Sequence, residues 1–298
     1  MIENVLHSAI IMTTPVLLAA LGGLINRVGG LVNIGLDSMM LAGALIGLIL
    51  ASQTGSWGVA LIGAAAVGGV LGLLMSLCVT RLSANEIVVG LGFNILIAGL
   101  VRFFLKSAYG TSGTLSLPDV ARLPRIEIPV IADIPYLGAV LSGHDPLTWA
   151  AWLMVPVTVW FLRSTPLGLR LRAAGAAPEA ARALGLSPLT LRDVSTIFAG
   201  LMAGLAGSYL SIGVVGLFNE GITAGRGFIA LAAFYFGRNR PWPTAACALL
   251  FGFFDALQIR LQGRGVPAEL IQTLPYVMVI VVLTVMAIAV RRARTKGA

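Results

Sequence analysis

The chain has 298 residues, of which 58% are hydrophobic and 11% charged, and its mean hydropathy is +0.95. Soluble domains average about 45–50% apolar and about 25% charged residues, so the composition excludes a soluble enzyme, a disordered tail and a disulfide scaffold, and indicates an integral membrane protein. The net charge of +8 is spread between apolar runs and at the C-terminus, the pattern of a positive-inside membrane protein rather than of a nucleic-acid partner.

A hydrocarbon core of about 30 Å needs about 20 apolar residues per helix. In chain order, that criterion predicts spans near 6–25, 31–51, 57–79, 85–105, 147–163, 194–215, 224–237, 241–260 and 273–290. The fold class expected is all-α, a polytopic bundle of about nine segments, with residues 1–298 forming one membrane domain. MIENVLHSA at the start is acidic rather than basic and lacks the n-region of a cleavable signal. The seventh segment is too short for a full crossing. It therefore reads as a half-helix, which the bilayer tolerates only where protein or a water-lined cavity satisfies its backbone. FNEGITAGRG at 218–227 is then a candidate pathway element.

With the C-terminus inside, nine spans put the N-terminus outside. The cytoplasmic segments then hold 13 of the 20 basic residues and the outer side six, with Arg226 near a membrane edge. Residues 106–146 become a long extracytoplasmic loop carrying Pro118, Pro124, Pro129 and Pro135. Residues 164–193 become a long cytoplasmic loop in which Pro178 and Gly185 bound one short helix, PEAARAL. GGLVNIGLDSMMLAGA (29–44) and AGRGFIALAAFYFG (224–237) share a glycine-led entry into a helix, as two halves of a repeat would.

Several chemistries have no residues to carry them. No Gly-Lys pair occurs, so there is no Walker A loop, and H-E-x-x-H and G-x-S-x-G are also missing. Cys78 and Cys247 lie in apolar runs and read as small buried hydrophobes. No cofactor or metal site is expected. Glycines four apart, at Gly43/Gly47, Gly68/Gly72, Gly200/Gly204 and Gly221/Gly225, are signals of close helix packing.

Polar groups inside spans are costly and therefore informative. Asn33 and Asp37 open the second span, either capping it or lining a pathway. Glu86 follows Ser83 in the spacing of a capping box. Asn94 lies inside the fourth span and suits an interhelical hydrogen bond or a pore group. Asp255, Gln258 and Gln262 share one face of the eighth helix, which favours a water-lined path over a sealed network. Asn219 and Glu220 stand at the broken seventh segment and carry the same two readings.

Taken in order, VGGLVNIGLDSMMLAGA, ANEIVVGLGFNILIAGL, TPLGLRLRAAGAAPEAARALGLSPLTLRD, TAGRGFIALAAFYFGRNRP and LPYVMVIVVL resemble the inner-membrane permease subunits of bacterial ABC importers. The resemblance is to the branch shared by branched-chain amino acid, simple sugar and nucleoside importers, nearest the nucleoside type, and it covers nearly the whole chain. Family members often read Glu-Gly where this chain has Asp37-Ser38, and a charged or polar residue at Ala176-Ala177. The resemblance implies alternating access without covalent chemistry. It also implies as partners a cytoplasmic ABC ATPase, a second homologous permease, an extracytoplasmic substrate-binding protein and the lipid bilayer. Gly168, Arg170, Arg172, Gly175, Ala181, Arg182, Leu184 and Gly185 would form the ATPase-coupling element. A helix as short as 178–184 is marginal alone and should dock, Ala181 and Leu184 offering a small apolar face. The three arginines either pair with acidic groups on the ATPase or act as positive-inside anchors. A secondary transporter is the rival class, but it would usually bury more ionisable groups than Asp37 and Asp255.

Overall fold

The computed structural model describes residues 2–126, 138, 140, 142–261 and 284. The expected ninth span, 273–290, and Gln262 therefore lie outside the described residues, Thr284 excepted. The helices are α1 (Ile2–Val28), α2 (Leu36–Thr54), α3 (Trp57–Thr80), α4 (Glu86–Tyr109), α5 (Pro146–Ser164), α6 (Pro166–Ala176), α7 (Pro178–Ala183), α8 (Pro188–Ser208), α9 (Arg226–Phe236) and α10 (Pro241–Leu261). A π-helical turn, Tyr209–Val215, extends α8. Among the described residues six helices are long and apolar enough to cross a membrane. The 19-residue α5 is not among them; Arg163, Pro146 and Pro156 lower its mean hydropathy most, with three tryptophans and two threonines adding to this.

Helix α8 is the spine of the bundle, packing along α1, α2 and α3. Lipid tails are as apolar as leucine, so helices in a bilayer associate through close van der Waals contact rather than hydrophobic burial. The glycines provide that contact. A Cβ on Gly68 would strike the Gly200 carbonyl, one on Gly72 the Thr196 carbonyl, one on Gly43 the Gly204 carbonyl, and one on Gly207 the Met40 carbonyl. The Gly43/Gly47, Gly68/Gly72 and Gly200/Gly204 pairs thus pack as their spacing predicts. Gly221/Gly225 does not: both lie in the turn before α9, and Gly221 has only Asn219 nearby.

A two-fold pattern runs through the packing. Exchanging α1 with α8, α2 with α9 and α3 with α10 carries the α1–α10 contact onto α8–α3, α2–α8 onto α9–α1, and α2–α3 onto α9–α10. Asn26 lies against Ser195 and Thr196, and Gly22 against Ala199 and Met202, so α1 and α8 run antiparallel. Equivalent helices of opposite direction define an inverted repeat, an architecture that places sites where the halves meet. The 29–44 and 224–237 segments paired by their glycine-led entries are its α2 and α9.

One end of the bundle gathers the arginines of the expected cytoplasmic side. Arg27 stacks over the Tyr235 ring at 5.7 Å, Arg81 pairs with Asp193 at 3.2 Å, and α6 packs on the end of α1. The opposite end carries a small cap. There β1 (Thr114–Leu115) pairs antiparallel with β2 (Phe218–Asn219), and Ser52 Oγ donates to the Pro118 carbonyl at 2.7 Å.

Candidate translocation site

The chain leaves α1 at Val28, runs without helix through 29–35, and enters α2 at Leu36. Unwound backbone at membrane depth needs partners, and α4 supplies them. The Glu86 carboxylate accepts from the Val32 N–H at 3.0 Å. Asn94 accepts from the Ser38 N–H at 3.0 Å and donates to the Ile34 carbonyl at 3.1 Å. Asn94 lies two helical turns beyond Glu86, about 12 Å along α4, so the entry to α2 sits well inside the bundle. The Ser83–Glu86 capping box does not form. Ser83 has φ +53°, and Asn85 caps α4 by accepting from the Ile87 and Val88 N–H groups, leaving Glu86 free to reach Val32.

Asp37 does not cap its own helix either, since Gly35 stands at that N-cap. Its carboxylate instead caps α9, accepting from the Gly227 N–H at 3.0 Å and from Thr223 Oγ1 at 3.1 Å. Gly227 has no room for a side chain against the Asp37 backbone. Two helix N-termini thus converge on one carboxylate, and each favours negative charge. Beside it the Arg226 guanidinium pairs with Asp255 of α10 at 3.1 Å, with side chains only 16% and 13% exposed. Asn33, in the link before α2, is wholly buried, its amide near Met39 Sδ and its carbonyl oxygen without a hydrogen-bond partner among the described residues. Because α9 has 11 residues, about 17 Å at 1.5 Å per residue, it ends well short of a full crossing, as its composition predicts.

Asp37, Arg226 and Asp255 therefore form one charged group, with Asn94 holding the adjacent start of α2 and Asn33 in the link before it. Gln258 is half-buried on the same helix as Asp255. Asn219 and Glu220 sit apart from it, in the cap. Glu220 clamps the cap to α4: it accepts from Arg102 Nε at 2.6 Å and from the Gly113 N–H at 3.1 Å, while its own N–H donates to the Gly113 carbonyl. The sequence marks 218–227 as a pathway element and Arg226 as lying near a membrane edge, without singling out Thr223 or Gly227. The signal was present in Ala224-Gly225-Arg226-Gly227, where glycines flank a lone charge at a helix start.

At the arginine-rich end, residues 165–187 form two helices where one was expected, and α8 begins at Pro188, inside the expected loop 164–193. Thr165 caps α6, its hydroxyl accepting from the Gly168 N–H at 3.1 Å, and Pro166 occupies the first turn, a signal equal to the one read at Pro178. Gly168, Leu171 and Ala174 face inward. Gly175 touches the backbone of Val28, Gly29 and Gly30, and Gly185 closes α7 with φ +76°. Arg170, Arg172 and Arg182 are exposed. Ala181 is 2% exposed and belongs to the inner face, whereas Leu184 is 79% exposed. The two therefore do not form one outward apolar face, and Leu184 alone is presented.

The model of the family described as branched-chain amino acid transport system / permease component matches residues 5–283. The chain is 30% identical over 292 residues to the guanosine ABC transporter permease protein NupQ of Bacillus subtilis (strain 168), covering 94% of this chain and 91% of that one. It is 30% identical over 294 residues to the nucleoside ABC transporter permease protein NupC of Lactococcus lactis subsp. cremoris (strain MG1363), covering 95% and 92%. It is 26% identical over 294 residues to the glucose ABC transporter permease protein TsgB13 of Haloferax volcanii, covering 94% and 76%. A helical bundle with a glycine-packed spine, a broken segment and a near full-length match lead to one conclusion: the chain belongs to the family of ABC transporter permease components.

Proposed function

We propose that this chain is the membrane subunit of an ATP-driven importer and forms part of the path for a nucleoside or simple sugar. The observation that carries the reading is the meeting of the α2 and α9 N-termini around Asp37, within a chain whose relatives are named for guanosine, nucleosides and glucose. Asp255 is paired with Arg226 and Asp37 is held by hydrogen bonds from Gly227 and Thr223, so neither carboxylate is left without a partner. Such a lining suits an uncharged solute rich in hydroxyls. A branched-chain amino acid is a zwitterion and would call for unpaired charges.

The arginine-rich end is cytoplasmic in this reading, with the N-terminus outside, the C-terminus inside and residues 1–298 as one permease domain. α6 and α7 form the seat for a cytoplasmic ATPase, through Arg170, Arg172, Arg182 and Leu184. A second homologous permease completes the path, and a binding protein delivers solute to the cap. ATP hydrolysis takes place on the separate ATPase. Disruption of this gene in its native host, followed by uptake of labelled guanosine, glucose and leucine, tests the substrate class. Loss of guanosine or glucose uptake with leucine uptake intact is the expected result; selective loss of leucine uptake would overturn it.

A further inference from the structure

The non-helical link 29–35 is held along its whole length. At its start Gly175 of α6 lies against it. A Cβ at 175 would strike the Val28 carbonyl oxygen and come within 3.0 Å of the Gly29 carbonyl carbon and the Gly30 nitrogen. Gly30 itself has φ +89°, a conformation that side chains resist. At the middle, Val32 is tied to Glu86. At the end, Ile34 is tied to Asn94, and a Cβ at Gly90 would lie only 2.8 Å from the Ile34 Cβ. The next residues are Ser38, also tied to Asn94, and Asp37, which caps α9.

A seven-residue link with turns at 29–30 and 34–35 and both ends fixed has little free length, so a displacement at one end is passed to the other. The long helices are placed differently. α2, α3 and α8 touch backbone to backbone through glycines, so none of them slides without displacing the others.

We propose that residues 29–35 are a transmission strap: displacement of α6 reaches Asp37 and the α9 N-terminus through this backbone, with Gly175 and Glu86 as the positioning residues that hold it. The proposal rests on the importer reading above and names the internal route by which ATPase contact reaches the polar cluster.

The test uses the complete importer in proteoliposomes and reads ATP hydrolysed per solute transported, normalised to assembled complex. Glu86→Ala removes the acceptor for the Val32 N–H, whereas Glu86→Gln keeps an oxygen there. Glu86→Ala should raise the ATP-to-solute ratio about tenfold, the factor that one hydrogen bond to a charged group carries at its lower bound, and Glu86→Gln should restore most of the coupling. Gly175→Ala should uncouple similarly, and the Glu86→Ala/Gly175→Ala double variant should be no worse than the poorer single one. Ser76→Ala, in the Ser76–Asp193 tie between α3 and α8, should leave the ratio unchanged. A normal ratio in Glu86→Ala, or equal impairment by Ala and Gln, overturns the strap. Absence of ATP-dependent uptake in the wild-type importer would instead overturn the importer reading on which it rests.

Discussion

Replacing Asp255 with alanine removes the carboxylate paired with the Arg226 guanidinium in the interior of the bundle. In the native chain that guanidinium meets Asp255 at 3.1 Å and the Ile222 and Thr223 carbonyls at 3.4 Å each, and it also interacts electrostatically with Asp37. Two carbonyl oxygens at that distance cannot replace a carboxylate. With side chains 16% and 13% exposed, the pair behaves as a buried one, and removing one partner of such a pair costs about 3–5 kcal/mol. Denaturant titration of the purified permease in detergent, followed by tryptophan fluorescence, measures this loss. The Arg226→Met/Asp255→Leu double variant removes both charges and should recover most of the stability. Its transport should nonetheless stay impaired if the pair also lines the path, and uptake in proteoliposomes reports that separately. A cost below about 1 kcal/mol for Asp255→Ala, the range of an exposed ion pair, would refute the buried-pair reasoning.

Gly207→Ala drives a methyl into the Met40 carbonyl and should cost about 1–3 kcal/mol or more in the same titration, whereas Gly99→Ala, with nothing within 4 Å, should be silent. A reporter fused after Arg182 should read cytoplasmic and one after Asp119 extracytoplasmic; the reverse at both sites would invert the topology. His144 stacks on His7 at 4.3 Å, and burial holds its imidazole below the usual range, with the His7 charge acting the same way. The unfolded chain then binds the proton more readily, so this contribution to stability is full above the unfolded pKa, about 6.5, and is lost as pH falls through and below it. Stability measured from pH 7.5 to 5 should decline more steeply in the native protein than in His144→Asn; parallel curves would remove the histidine from the explanation.

Hydropathy alone marked α1 to α4, α8 and α10, because a bilayer demands a length and composition that few other structures need. It also marked α9 as too short. The polar residues within spans were legible as costly groups, yet their partners were not, since every bond that matters joins distant elements. Asp37 read as either the cap of its own helix or a pathway group, and it caps α9, 190 residues away along the chain. Glu86 read as half of a capping box because Ser83 stands three residues before it, but the left-handed Ser83 backbone turns that side chain out of place and Asn85 takes the cap. Ala181 and Leu184 are three apart and would share a helix face, but α7 ends at Ala183, so Leu184 leaves that face. The docking of Gly175 on Gly30 had no local signal, since it depends on where α6 lies relative to the end of α1.

The most direct measurement is solute accumulation in proteoliposomes containing this permease with its partner permease, ATPase and binding protein. Labelled guanosine or glucose should accumulate only with hydrolysable ATP and loaded binding protein, and should be indifferent to an imposed proton or sodium gradient. Accumulation driven by such a gradient in the absence of ATPase and ATP would contradict the assignment and place the chain among secondary transporters.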